Sequence, residues 1–141
     1  MLRAMSDVAA LGLAGLMTGS GIGHAVVPGY FRGMVPDRLP APGAIVAVSG
    51  ALDVLAGALV AAPATRAAGG WLAAGLVTAY LPAHLDPLRR TGTATRLYDR
   101  APGIAARVLV NLGYIGWAVA VARGAGRVRR RPAAPRRAPR G

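Results

Sequence analysis

The run GAIVAVSGALDVLAGALVAA, residues 43–62, decides the fold class, because twenty consecutive residues carry one charge, Asp53. At about 1.5 Å of rise per residue, roughly 20 helical residues cross a hydrocarbon core of about 30 Å. The run has no strict apolar/polar alternation, so a half-buried strand is a poor reading. Working outward, three further stretches of this kind appear. Residues 8–27 hold no charge, residues 67–85 hold no formal charge and one His, and residues 101–122 hold one charge, Arg107. Pro, Gly and Arg punctuate the gaps at 28–42, 63–66 and 86–100. The pattern predicts an all-α fold: a four-transmembrane-helix bundle within residues 1–122, with helices at about 8–27, 43–62, 67–85 and 101–122, then a disordered Arg/Pro-rich tail, 123–141.

Composition agrees. The 141 residues carry a formal net charge of +12, all 17 basic residues are Arg, all five acids are Asp, and Lys, Glu and Cys are absent. Without Cys there is no disulfide, thiolate metal site or iron–sulfur cluster in this chain. Charged residues make up 16% of the chain, against roughly 25% in soluble domains, and eight of the 22 charges fall in the last 19 residues. The remainder is too sparsely charged to coat a water-facing surface.

The first apolar run is long, and no small-x-small site precedes a polar start, so it is expected to remain as a span rather than be cleaved. Gly15, Gly19 and Gly23 repeat at four-residue spacing along it and predict a helix–helix contact stripe. Arg counts orient the spans. With both termini on one side, that side holds ten Arg and the other six, which predicts cytoplasmic termini in a multi-pass protein of the cell membrane.

The stretch GIGHAVVPGYFRGMVPDRLPAPGAIVAVSGALDVLAG, residues 21–57, resembles the DoxX-like family of small bacterial four-helix inner-membrane proteins. The resemblance rests on His24, Pro28, Phe31, Met34-Val35-Pro36, Leu39-Pro40-Ala41-Pro42, and Ser49-Gly50 with Asp53, where that family usually has Glu. It continues through Arg66-Ala67-Ala68, Pro82-Ala83-His84, and Arg107 to Asn111 with Trp117, departing from the family by a missing Pro and Asn for Gln. It implies the four-span membrane fold and an association with redox partners, including a link to quinone chemistry.

The informative residues are the polar ones at membrane depth. An Asp or Arg near a helix centre costs about 2.5–3.5 kcal/mol on insertion scales, so Asp53 and Arg107 are expected to face inward and find partners. With the outer ends of the spans as reference, the rise per residue places Asp53 and Asn111 about 15 Å deep, Arg107 about 9 Å, His24 about 5 Å and His84 about 2 Å. Ser49 and Asp53, Tyr80 and His84, Ser20 and His24, and Arg107 and Asn111 each share a helix face at i, i+4. The expectation is a polar cluster of His24, Asp53, His84, Arg107 and Asn111, open to the outer face, with an Asp53–Arg107 ion pair inside it. It reads either as a structural pair that sets register or as a ligand or proton site. Two His and the nearby acids are too few and too loosely spaced for a metal site.

Tyr30, Phe31, Met34, Val35 and Leu39 alternate with Arg32, Asp37 and Arg38 in a Pro-rich first loop, which reads as an interfacial collar in preference to a lid over the cluster. Proline confines any helix there to about residues 29–35. In the tail, Arg127, Arg129, Arg130 and Arg131 are expected to bind anionic lipid headgroups. The tail has no aromatic platform and no nucleic-acid module accompanies it, so nucleic acid is not the expected partner.

No P-loop, HExxH, GxSxG or paired-carboxylate motif is present, and no catalytic residue is assigned. No cofactor is evident beyond a quinone. The leading reading is an accessory or structural membrane subunit with a redox partner protein, alone or as a homo-oligomer. The alternatives are a quinone-linked oxidoreductase subunit and a small solute or proton transporter acting as an oligomer.

Overall fold

The computed structural model describes residues 2–93 and 97–129, and among these the fold is all-helical, with no strand. Five α-helices follow in order: α1 Leu2–Val26, α2 Pro28–Arg32, α3 Pro42–Ala61, α4 Arg66–Leu85 and α5 Ala101–Arg129. Tight 3₁₀ turns occupy Asp86–Thr93 and Leu97–Asp99 between α4 and α5.

Proline sets the boundaries where the sequence changes character. Val27, which precedes Pro28, leaves helical geometry (φ −126°, ψ 56°), ending α1 and letting Pro28 start α2. Pro42 begins α3, and Ala41 before it adopts a left-handed conformation (φ 51°, ψ 57°). That turn aims the Ala41 carbonyl at the amides of Ala44 and Ile45, 3.0 and 3.1 Å away, which closes the first turn of α3. At the other end of α3, Thr65 Oγ1 donates to the Leu59 carbonyl (2.8 Å) and Arg66 Nε to the Val60 carbonyl (3.2 Å). Arg66 also pairs with Asp7 on α1.

The long helices pack in sequence order, α1 on α3, α3 on α4 and α4 on α5, with a lighter contact between α1 and α5. The core is made of small and medium side chains: Ala10, Leu13, Met17, Ala56, Val60 and Ala118 are among its fully or nearly fully buried members. Such a core draws helices close. A Cβ on Gly57 would lie 2.9 Å from the Ala14 carbonyl oxygen and 3.0 Å from the Thr18 nitrogen, so α1 and α3 approach backbone to backbone there.

The expected contact stripe is corrected by this packing. A Cβ on Gly15 or Gly19 would meet nothing within 4 Å, and Gly23 faces Phe31. The inward face of α1 runs through Ala10, Leu13, Ala14 and Met17 to Gly21, because that row, not the Gly15 row, meets α3.

Across α1 and α5, Trp117 Nε1 donates to the Ala9 carbonyl at 3.1 Å, and its ring covers Gly12. Trp117→Phe keeps an aromatic ring but loses the donor and part of the indole surface over Gly12. It is expected to lower stability by at least about 0.6 kcal/mol, the average for such bonds in membranes, measured as a lower melting temperature in detergent. An unchanged melting temperature would show that this bond does not hold α1 to α5.

The outer faces are apolar: Val8 is 71% exposed and Leu109 68%. Three helical stretches, Ala4–Val26, Pro42–Ala61 and Ala101–Arg127, are long and apolar enough to cross a membrane. Helix α4 has the length but not the apolarity, because Thr78, Tyr80, Pro82 and His84 cluster in its second half. The tail expectation is corrected at its start, since α5 continues seven residues beyond Ala122 to Arg129. Arg is a good helix former and residues 123–129 contain no Pro. Residues 130–141, with Arg130 and Arg131, lie outside the described residues.

Candidate functional site

Where α1 and α4 end and α3 and α5 begin, the helices diverge around a cavity of about 390 Å³. Helix α1 contributes Ser20 and His24, α3 contributes Ser49 and Asp53, and α4 contributes Tyr80 and His84. Helix α5 completes the wall with Asn111 and Tyr114. The i, i+4 spacing on each helix aims both members of a pair at the same space.

Asp53 is the anchor. It is 0% exposed, and it is the buried charged residue among the described ones. Tyr80 Oη donates to one carboxylate oxygen at 2.7 Å, and Ser20 Oγ donates to the other at 2.9 Å. One carboxylate thereby joins α1, α3 and α4. His24 Nδ1 lies 3.9 Å from the same group. Its closer partner is the Ser20 carbonyl at 2.8 Å. A carbonyl oxygen only accepts, so Nδ1 carries a hydrogen and donates it.

The expected Asp53–Arg107 pair does not form. The hydrogen bonds and the ion contact of Asp53 go to Ser20, Tyr80 and His24. Arg107 Nη2 turns to Asp99, 3.5 Å away, where both side chains keep partial solvent contact and their charges need not be fully desolvated. Of the five residues expected to cluster, His24, Asp53, His84 and Asn111 line the cavity, and Arg107 stands behind that wall with its side chain toward Asp99. Asn111 Nδ2 donates to the Arg107 carbonyl at 2.8 Å. His84 Nδ1 is buried with no hydrogen-bond partner among the described residues.

Tyr80 and Ser20, the two groups that hold Asp53, are absent from the expected cluster. The signal for both was spacing, since each lies one helical turn before a cavity His.

The first loop is part of the site, and the collar reading is corrected. Phe31 of α2 stacks on the His24 ring with centroids 3.8 Å apart and planes at 22°, and Tyr30 packs edge-on against Phe31. Met34, Val35, Pro36 and Leu39 continue the wall. Arg38 also lines the cavity and bonds Asp86, at the end of α4, at 2.7 Å. Stacking on His24 partly buries the Phe31 ring, which water solvates poorly, while Tyr30 and Leu39 stay exposed. Of the Arg residues assigned to lipid headgroups, Arg127 is exposed and Arg129 closes α5.

No curated protein and no solved structure matches the chain. A family model does match, and it covers residues 13–122, which span every residue of the cavity wall. The chain therefore belongs to the family described as a domain of unknown function, DUF8561.

Proposed function

We propose that this is a four-span integral membrane protein, DoxX-like in architecture, that holds a small lipophilic molecule in its cavity and serves as an accessory subunit beside a redox partner in the cell membrane. The observation that carries this reading is the cavity itself. Its volume lies within the range of about 300–1,000 Å³ typical of small-molecule sites. Its wall is mostly apolar, with a few convergent polar groups around a buried carboxylate. A bundle built only for packing would close such a space with larger side chains.

Helix α4 counts as the fourth span. Its polar residues Tyr80 and His84 face the cavity and not the surroundings, and it is packed between α3 and α5. The Arg excess at the two termini supports a cytoplasmic placement for both. It also supports contact between the end of α5 and anionic headgroups, at about 1 kcal/mol for each Arg near such a surface.

A quinone fits the site by shape and by its hydrogen-bonding groups, including the unpartnered His84 Nδ1. Tyr80, His24, His84 and Asn111 would hold its ring, and the group would supply two-electron, two-proton chemistry to the partner. The residues of this chain would orient the ring and exclude water.

The test is extraction of the full chain from membranes in gentle detergent, with mass spectrometry and absorbance of whatever co-purifies. The expected result is a lipophilic ring compound that is lost in Ala83→Phe, a change that fills the cavity from α4. Protein that carries lipid alone, identically in both forms, would sink the reading.

A further inference from the structure

The hydrogen bonds around Asp53 have a direction, and the direction selects a ligand. Ser20 and Tyr80 both donate their hydroxyl hydrogens to the carboxylate. Ser49 Oγ donates to the Val46 carbonyl at 3.1 Å. His24 Nδ1 donates to the Ser20 carbonyl. All four groups line the cavity, and at each the hydrogen already has a partner. What remains for an occupant at this end is lone pairs. The carboxylate borders the cavity but has no solvent exposure, so an occupant meets chiefly the groups that Asp53 holds, and Asp53 itself offers only acceptor oxygens.

We infer that the cavity selects a lipophilic molecule that brings a hydroxyl or N–H donor, of the phenol class, over a carbonyl or ether of the same shape. The inference rests on the cavity being a binding site. For a quinone couple it means preference for the reduced, hydroxylated member. Asp53 acts as a positioning residue, because its two oxygens turn the Ser20 and Tyr80 hydrogens away from the cavity. Apolar walls from Met17, Val46, Val77 and Phe31 take the ring. Away from Asp53, His84, Asn111 and Tyr114 can each donate or accept and do not oppose a donor at the Asp53 end.

The experiment compares 2-naphthol with 2-methoxynaphthalene, which differ by a methyl in place of the donor hydrogen. Binding is measured by equilibrium dialysis of the full chain in lipid nanodiscs against empty nanodiscs of the same lipid, which removes simple partition. The naphthol is expected to bind about three- to tenfold tighter, the ratio that one hydrogen bond supplies. In Asp53→Asn the amide donates to one of the two hydroxyls, which frees that hydroxyl to donate into the cavity, and the preference is expected to vanish or reverse. Tyr80→Phe removes one acceptor oxygen and is expected to weaken the naphthol while leaving the ether unchanged, which serves if Asp53→Asn does not accumulate. Equal affinity for the two compounds in the native chain, or an unaltered preference in both variants, would overturn the inference and leave the binding cavity standing. If neither compound binds saturably, the cavity reading itself fails and the inference with it.

Discussion

Gly57→Val is expected to abolish the folded protein. The atoms a Cβ would strike at 2.9 and 3.0 Å are the Ala14 carbonyl oxygen and the Thr18 nitrogen, which belong to the backbone of α1 and cannot swing aside. Valine adds two methyl groups beyond that Cβ, and its χ1 is restricted in a helix. Overpacking that side chains can absorb costs about 1–3 kcal/mol, and a backbone obstacle raises the cost further. The only relief is to move α1 away from α3. That motion would pull Ser20 off Asp53 one helical turn away and open the cavity wall. Gly15→Val and Gly19→Val, on the same helix α1 but facing open space, are expected to behave like the native chain. Fluorescence-detected size-exclusion chromatography of the three variants reads this directly. A monodisperse Gly57→Val peak of native height would show that α1 and α3 are not in close contact.

Asp53→Ala has the second large effect, and it separates binding from folding. An Asp near the middle of a span costs about 2.5–3.5 kcal/mol on insertion scales, whereas an interhelical hydrogen bond in a membrane averages about 0.6 kcal/mol. Losing two such bonds is the smaller term. Neither hydroxyl is stranded, since Tyr80 Oη already lies 3.4 Å from the Ser49 carbonyl. Ser20 can turn to the carbonyl one turn earlier in its own helix. The amount of inserted protein is therefore expected to stay at or above the native level, while the preference for a hydroxylated ligand weakens, because hydroxyls no longer fixed by the carboxylate can turn toward the cavity as well as toward these carbonyls. In-gel fluorescence and the same dialysis measurement give the two numbers. An Asp53→Ala chain as poorly accumulated as Gly57→Val would make Asp53 a determinant of the fold instead.

The helices were legible because hydrocarbon thickness leaves so little freedom. Residues 43–62 and 67–85 read from the sequence against Pro42–Ala61 and Arg66–Leu85 in the structure, and Pro28 and Pro42 mark where helices stop and start. The terminal ends of α1 and α5 were less legible. Arg and Asp are counted against a membrane span, yet both tolerate helix where it leaves the apolar layer, so α1 starts at Leu2 and α5 runs to Arg129.

At the site, depth and helical spacing brought His24, Asp53, His84 and Asn111 to one cavity. What they did not reveal was the partner of Asp53. A sequence reading looks for an opposite charge, and Arg107 was the nearest in depth. Tyr80 and Ser20 carry no charge and leave no mark in a hydropathy profile, although two neutral hydroxyls satisfy a buried carboxylate at lower desolvation cost than a buried cation would. The role of the first loop was hidden for a similar reason. An amphipathic, aromatic segment is equally suited to a lipid interface and to a protein wall, and only the stacking of Phe31 on His24 decides between them.

Helix α5 has one further consequence. Its 29 residues make a rod of about 44 Å, some 14 Å more than the thickness of a bilayer's apolar layer. The surplus is a stiff mast rather than a slack tether, so Arg127, in its last turn, is held at a set height and compass bearing. Adding or deleting one residue along the mast would swing that side chain by about 100° around the axis, a rotation that a flexible leash would never transmit.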